Sequence, residues 1–458
     1  MKICIFYIKK IRSSPFPETL NYSIFLFSLI CFLSGGDFAY SQKKSTDSKI
    51  FRASVVKVNV TPETPQNLRG YGQRISTGVH DSIYHRIVAL DDGKTQFFIV
   101  ASEFCSLSPG QYDHVAAILN KKFGIRPENF WWSFTHTHSA PEVGDPGLIR
   151  MFMPERFEMN LDTAYCALVE RKLVEGIAEA REKLEPARLG SGWGFSQANI
   201  NRRAIDVDGK ASLGMNPDGA TDRRIGLLRI DRKDGTPIAC IANYPLHGTV
   251  LGKESFVISG DVPGVVSEYV EKKIGAPVLY INGAAGNLAP LYSTSPDPVK
   301  GHLSQFRVLL GDKITDAYQK ISSTTDKVTI DARSILVETA RKPGLKWPAD
   351  LGKYTRVTKE GSEFVRLPVR FLKLTEEIAI WSAPIELFCE ISNEIRDRSP
   401  FPFTFYFGYT NGTFGYMPTM QEWSHEGYET NISVFTPAAA TDLTEAVDGY
   451  LHGEMKTE

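Results

Sequence analysis

The stretch Trp131-Trp132-Ser133-Phe134-Thr135-His136-Thr137-His138-Ser139-Ala140-Pro141 decides how this chain is read. It opens with large apolar residues and closes with small polar ones ahead of a proline, the pattern of a buried strand passing into a loop. Side chains alternate in direction along a strand, so His136 and His138 are expected on one face where the strand ends. Two imidazoles placed side by side suit one metal ion, or a metal and its catalytic neighbour. A chance His-x-His on a half-buried strand has the same local form, so the motif needs support from elsewhere in the chain.

Working outward, the first forty residues read as a leader. Lys9, Lys10 and Arg12 precede the apolar run Tyr22 to Leu33, and Ala39-Tyr40-Ser41 offers small residues at a cleavage point before Gln42. The run is shorter than the roughly 20 residues a spanning helix needs. Residues 1–41 are therefore expected to be a signal peptide or N-terminal anchor. Residues 42–458 are expected to form one domain, secreted, periplasmic or in the cell envelope, with no transmembrane span. Beyond the leader, Cys105, Cys166, Cys240 and Cys389 are widely spaced among apolar neighbours, which points to buried free thiols rather than a disulfide framework or a thiolate metal site. Lys and Arg total 52 against 53 Asp and Glu, and this balance argues against a nucleic-acid partner.

Hydrophobic periodicity predicts strands over 53–60, 87–90, 96–101, 188–190, 225–230, 237–242, 277–281, 371–374, 377–381 and 403–407. It predicts helices over 112–123, 158–184, 261–273 and 304–321. Strands and helices mixed throughout, with no repeat or low-complexity linker, predict an α/β fold of mixed sheets covered by helices in a single large domain.

Four segments share one form, an apolar strand running into a loop of small or polar residues. They are His136 to Pro141, Asn243 to Gly248, Asn282 to Pro290 and Ala383 to Glu386. In α/β sheets, sites gather beyond strand ends. Neutral imidazoles and a carboxylate are zinc ligands, with water or substrate completing the shell. Each member also has a structural reading. His247 could cap a strand end, and Glu386, opening a helix pattern after Pro384, could oppose the helix dipole. Gly283 to Gly286 resembles a tight turn or an anion cradle of backbone N–H groups, but it lacks the Lys of a phosphate-binding loop.

Taken together, these segments resemble the catalytic domain of neutral/alkaline non-lysosomal ceramidases. The resemblance is carried by Thr135 to Pro141, the strand ending at His247, Ser259-Gly260-Asp261-Val262-Pro263-Gly264 and Asn282 to Pro290. It continues through Pro384 to Glu386, Gly415-Tyr416 and Gly427-Tyr428-Glu429. It implies that His136, His247, Glu386 and Tyr416 hold Zn²⁺, while His138 and Tyr428 face the scissile bond. Without it, Tyr416 reads as an aromatic core residue. Arg202 and Arg203 match a stretch that begins Asn-Arg in the family; they are candidate substrate contacts, with a solvated surface pair as the other reading. Asn287 is a third candidate contact.

Two departures stand out. Ala289 occupies the position of the family's serine nucleophile, and Asn287 replaces an acidic residue. The chain also ends soon after Tyr428, where the family carries an immunoglobulin-like domain. The expected function is thus an exported zinc-dependent hydrolase that cleaves an amide or acyl bond with metal-activated water. His138 would act as general base and then acid, and Tyr428 with the Gly283 to Gly286 amides would serve as oxyanion donors. The substrate would be a small molecule, lipid or glycan. Two alternatives stay open: a zinc-dependent carbohydrate deacylase or lyase, and a non-catalytic zinc-stabilised envelope protein.

Overall fold

The computed structural model describes residues 50–157, 161–292 and 302–453. The expected leader, and the first residues of the helix predicted from 158, lie outside the described residues. The architecture is α/β, as expected. An eight-stranded mixed sheet runs in the order Val278–Asn282, Pro237–Tyr244, Arg224–Arg232, Glu185–Phe195, Arg52–Asn59, Tyr84–Asp91, Gln96–Ser102 and Phe130–Phe134. Its outermost pair at each edge is parallel and its inner pairs are antiparallel. A second sheet is formed by Asp331–Ala340, Glu363–Lys373, Ile378–Ser382 and Phe403–Phe407, with Thr355–Val357 also on Glu363–Lys373.

The two sheets face each other across a core that includes Val88, Ile99, Trp131, Ile230, Ile380 and Phe405. Each strand presents two faces, and the outer faces are covered by helices. Pro109–Phe123 and Thr163–Glu182 cover one part of the large sheet, and Asp261–Ile274 covers another. Cys389–Arg398 and Ala439–Leu451 cover the second sheet. The result is four layers, helix on sheet on sheet on helix. All of the expected strands form, mostly longer than the periodicity indicated. The predicted 304–321 helix is interrupted at Arg307–Asp312 by a π-helical turn. Cys105, Cys240 and Cys389 are buried free thiols and Cys166 is a partly buried one, as their apolar neighbours suggested. Among the described residues, no helix is long and apolar enough to cross a membrane.

The large sheet curls until its two edge strands, Val278–Asn282 and Phe130–Phe134, come into contact. Strand ends far apart in the sheet order thereby meet in space. Asn282 fastens the junction. Its side-chain amide donates to Thr135 O (3.2 Å) and Leu246 O (2.9 Å), and its oxygen accepts from Leu246 N (3.0 Å). Next to this seam sits His85, fully buried, its ring nitrogens 2.6 Å from Ser102 Oγ and 3.2 Å from Val169 O. Burial depresses its pKa to about 4, so the folded chain holds it neutral. The unfolded chain binds a proton there below about pH 6.5 and the folded chain does not. Stability from this group is therefore complete above pH 6.5 and falls by about 3 kcal/mol as the pH drops to about 4. Urea unfolding between pH 7 and 4 should show this slope flattened in His85→Gln; identical slopes in both proteins would remove His85 as its cause.

Candidate metal and catalytic centre

The histidine motif departs from simple strand alternation. The strand ends at Phe134, and His136 lies beyond it with φ +62°, a left-handed conformation that costs a non-glycine residue about 1–2 kcal/mol. Hydrogen bonds hold it there: His136 N donates to Phe104 O (3.0 Å), and Gly248 N donates to His136 O (3.2 Å). His138 N donates to Gly248 O (2.8 Å). The two imidazoles are brought together by this kink, with Nε2 atoms 3.2 Å apart and ring planes at 77°.

His247 arrives on the loop after Pro237–Tyr244. Asp261 holds that loop, its buried carboxylate accepting from Val250 N, Leu251 N and Val262 N at 3.2, 2.9 and 2.7 Å. Glu386 is not in the first turn of a helix. It forms a two-residue parallel bridge, Glu386–Leu387 with Tyr416–Met417, in which Glu386 and Tyr416 are register partners. The helix begins three residues later, at Cys389. The dipole explanation for Glu386 therefore fails, and the register explains how a carboxylate and a phenol thirty residues apart become neighbours.

His136, His247 and Glu386 place ligand atoms within 4.8 Å of one another. His136 Nε2 and His247 Nε2 lie 3.3 and 3.5 Å from Glu386 Oε2. Donors on a tetrahedral ion at about 2.0–2.1 Å are separated by about 3.3 Å, so these spacings fit one ion. The remaining ring nitrogens are tied to backbone carbonyls, His136 Nδ1 to Cys105 O (2.8 Å) and His247 Nδ1 to Ala285 O (2.7 Å). Those bonds fix a proton on Nδ1, so Nε2 is the atom that faces the centre, a free lone pair on His247 and one that a metal would have to win from a proton on His136. His247 Nε2 and Glu386 Oε2 are buried without a hydrogen-bond partner, which a cation would supply.

The electrostatics agree. Burial, helped by Arg202, lowers His247 to about 3 and keeps it neutral. Burial opposes ionisation of Glu386, but His136 and His247 overcome it and hold the carboxylate well below its usual range. Burial also pulls His136 down, but Cys105 and Glu386 more than offset it, raising the pKa to about 10. The pull that keeps a proton on His136 is the pull that would hold a metal cation. Burial, followed by His136 and His247, holds His138 well below its usual value.

Tyr416 stacks parallel to the His247 ring, centroids 6.5 Å apart, and its oxygen accepts from Arg202 Nη2 at 3.1 Å. Tyr428 is half-buried with its ring 5.8 Å from that of Tyr416. These residues, with His138 and Ala289, line a cleft of about 770 Å³ that opens onto the centre.

Three expectations need correction. Arg203 is committed elsewhere: it pairs with Glu422 Oε2 and Glu429 Oε2, both at 2.6 Å, and is fully buried outside the cleft. A strand irregularity between Asn201 and Arg203 lets consecutive arginines share Glu429, whose other oxygen is 2.9 Å from Arg202 Nε. Asn287 is also structural, donating to Glu390 Oε2 (2.8 Å) and accepting from Cys389 N (3.0 Å). Finally, Gly286 N donates to Leu387 O (2.8 Å), so that amide is not free for an oxyanion.

Sequence reasoning also passed over Cys105, whose carbonyl orients His136, and Tyr409, whose ring lies 4.2 Å from that of His136. It missed Gly70-Tyr71, which packs on His138. None carries a local signature; only Gly70, at φ +106°, bears a residue type that hints at its role. Gly286 leaves no room for a side chain, because a Cβ there would lie 2.5 Å from Glu386 O and 2.8 Å from Leu387 O. Gly286→Ala should therefore displace Glu386 and cost at least about 1–3 kcal/mol through overpacking. Unchanged melting temperature and metal content in that variant would contradict this placement.

Comparison with known proteins agrees with the geometry. The family model for neutral/alkaline non-lysosomal ceramidase, N-terminal, matches residues 51–288, more than half of the chain. Neutral ceramidase B of Dictyostelium discoideum is 28% identical over 221 residues, covering 46% of this chain and 30% of its own. Neutral ceramidase of Pseudomonas aeruginosa is 23% identical over 321 residues, covering 67% and 47%. The crystal structure of neutral ceramidase from Pseudomonas aeruginosa shares the fold at a TM-score of 0.72 and 18% identity, over 90% of this chain and 76% of that one. The chain spans less than half the length of these curated relatives. With a family match over half its length and the same fold, the chain belongs to the neutral/alkaline non-lysosomal ceramidase family.

Proposed function

We propose that this chain is an exported zinc-dependent hydrolase that cleaves an amide or other acyl bond without a serine nucleophile. Residues 1–41 would direct export, and residues 42–458 would be the catalytic domain. The observation that carries the reading is the convergence of His136, His247 and Glu386, with two buried ligand atoms left without partners. The relatives are neutral ceramidases, which makes an acyl bond the natural target. Ceramide itself is not part of the proposal, because Ala289 offers only a methyl group where a serine nucleophile would stand.

Zinc held by His136, His247, Glu386 and Tyr416 would supply Lewis acidity and lower the pKa of water toward about 7. His138, a neutral imidazole with Nε2 facing the centre, is suited to take a proton there and return it to the leaving amine. Gly70 packs against its ring and Tyr71 meets it edge-on at 5.0 Å, so its orientation is fixed. Burial raises the pKa of Tyr428, which keeps its phenolic proton for donation to a developing oxyanion. Burial and Glu386 likewise keep Tyr416 protonated, while the hydrogen bond from Arg202 favours its phenolate.

His136→Ala should lose both bound zinc, measured by elemental analysis, and turnover of N-acyl amides. Full turnover by a zinc-free His136→Ala protein would sink the hydrolase reading. Tyr428→Phe should lower kcat by about 10²–10³-fold with zinc content unchanged. An unaltered kcat in that variant would remove Tyr428 from the oxyanion role.

A further inference from the structure

Beside the candidate centre stand two cations that the proposed hydrolysis does not use. A small cavity of about 50 Å³ next to His136 and Glu386 is bounded by Arg69, Arg156, Phe157 and Ile149. Arg69 is only 3% exposed, and its Nη2 has no hydrogen-bond partner. Its Nη1 reaches Gly144 O at a long 3.5 Å, and its guanidinium lies 5.3 Å over the Phe157 ring. Glu142 feels its charge through space but makes no ion pair with it. Arg156 lines the same cavity as Tyr428. Among the described residues, neither Arg69 nor the half-buried Arg156 forms a salt bridge, whereas Arg202 and Arg203 are paired with carboxylates. Arg74, also buried and without a salt bridge, is instead spent on the carbonyls of Ser255, Arg69 and His138.

A buried guanidinium with an unused N–H is costly unless something satisfies it. Arginine's planar fork matches a carboxylate, which can accept two parallel hydrogen bonds. The small cavity and the 770 Å³ cleft share His138, Tyr416, Tyr428 and Arg156, so a ligand can lie across the centre from one to the other. The cleft side presents Leu213, Met215 and Leu291, an apolar wall. We propose that Arg69 and Arg156 form a carboxylate subsite, and that the substrate is an acylated amine with an apolar acyl part in the cleft and a short, carboxylate-bearing amine part in the cavity. The word substrate rests on the hydrolase reading; the anion site itself does not.

The experiment uses the full zinc-bearing chain in two arms. In the first, calorimetry compares decanoate with decanol, neither of which can be hydrolysed. Wild-type protein should bind decanoate at least about tenfold more tightly, as expected for a charge-assisted hydrogen bond. Arg156→Gln, at a half-buried position that folding should tolerate, and Arg69→Gln should each erase that preference while zinc content stays constant. A preference that survives in Arg156→Gln would mean the carboxylate sits on the metal, and equal binding of both ligands by wild type would mean there is no anion site; either result overturns the proposal. In the second arm, N-decanoylglycine is compared with N-decanoylethanolamine, and kcat/KM should favour the glycine conjugate at least about tenfold, with the bias lost in Arg156→Gln. If neither conjugate is cleaved, the hydrolase reading fails and calorimetry still decides the anion site. Equal cleavage of both overturns the carboxylate preference and leaves the hydrolase reading standing.

Discussion

Two backbone carbonyls set the chemistry of this protein. Cys105 O and Ala285 O accept from the Nδ1 atoms of His136 and His247, which leaves both Nε2 atoms facing Glu386. If either bond were lost, a ring could flip or change tautomer, and its lone pair would turn away. Much of the surrounding structure serves to keep those carbonyls in place. Cys105 follows the Gln96–Ser102 strand, and Ala285 lies in the glycine-containing turn after Val278–Asn282. The curl of the large sheet brings these two strands within reach of each other.

Several buried polar groups that look functional in isolation prove to be fasteners. Asn282 joins the loops of His136 and His247, Asp261 braces the His247 loop, and Asn287 anchors the segment after Glu386. Glu429 holds Arg202 and Arg203 together, with Arg202 turned toward Tyr416 and Arg203 locked away from the cleft. Such groups are satisfied internally and so are not available to a ligand. By the same criterion, unsatisfied groups matter most: His247 Nε2 and Glu386 Oε2 at the centre, and Arg69 Nη2 beside it.

The layered α/β fold was legible because strand and helix periodicities are local, and long apolar runs such as those around Trp131 and Ile241 have few other uses. His136, His247 and Glu386 could be suspected from residue type and from their place after apolar strands. Their roles could not be, because His136 depends on a left-handed kink and Glu386 on a two-residue bridge too short for any periodic pattern. The helix expected to open at Glu386 begins instead at Cys389 for that reason. Arg203 and Asn287 were misread because hydrogen-bond commitment is invisible in sequence, and an arginine looks the same whether it is paired or free.

By itself, the sequence determined the fold class, the family and the supply of imidazole, carboxylate and phenol groups on loops after strands. It also determined that Ala289 cannot be a nucleophile, since a methyl group carries no lone pair. Tertiary structure alone decided which of those groups meet, which nitrogen of each histidine faces inward, and which arginines stand without a carboxylate partner among the described residues. These depend on contacts between residues tens to hundreds of positions apart, whose geometry is fixed by sheet curvature, strand register and buried hydrogen bonds rather than by any local pattern.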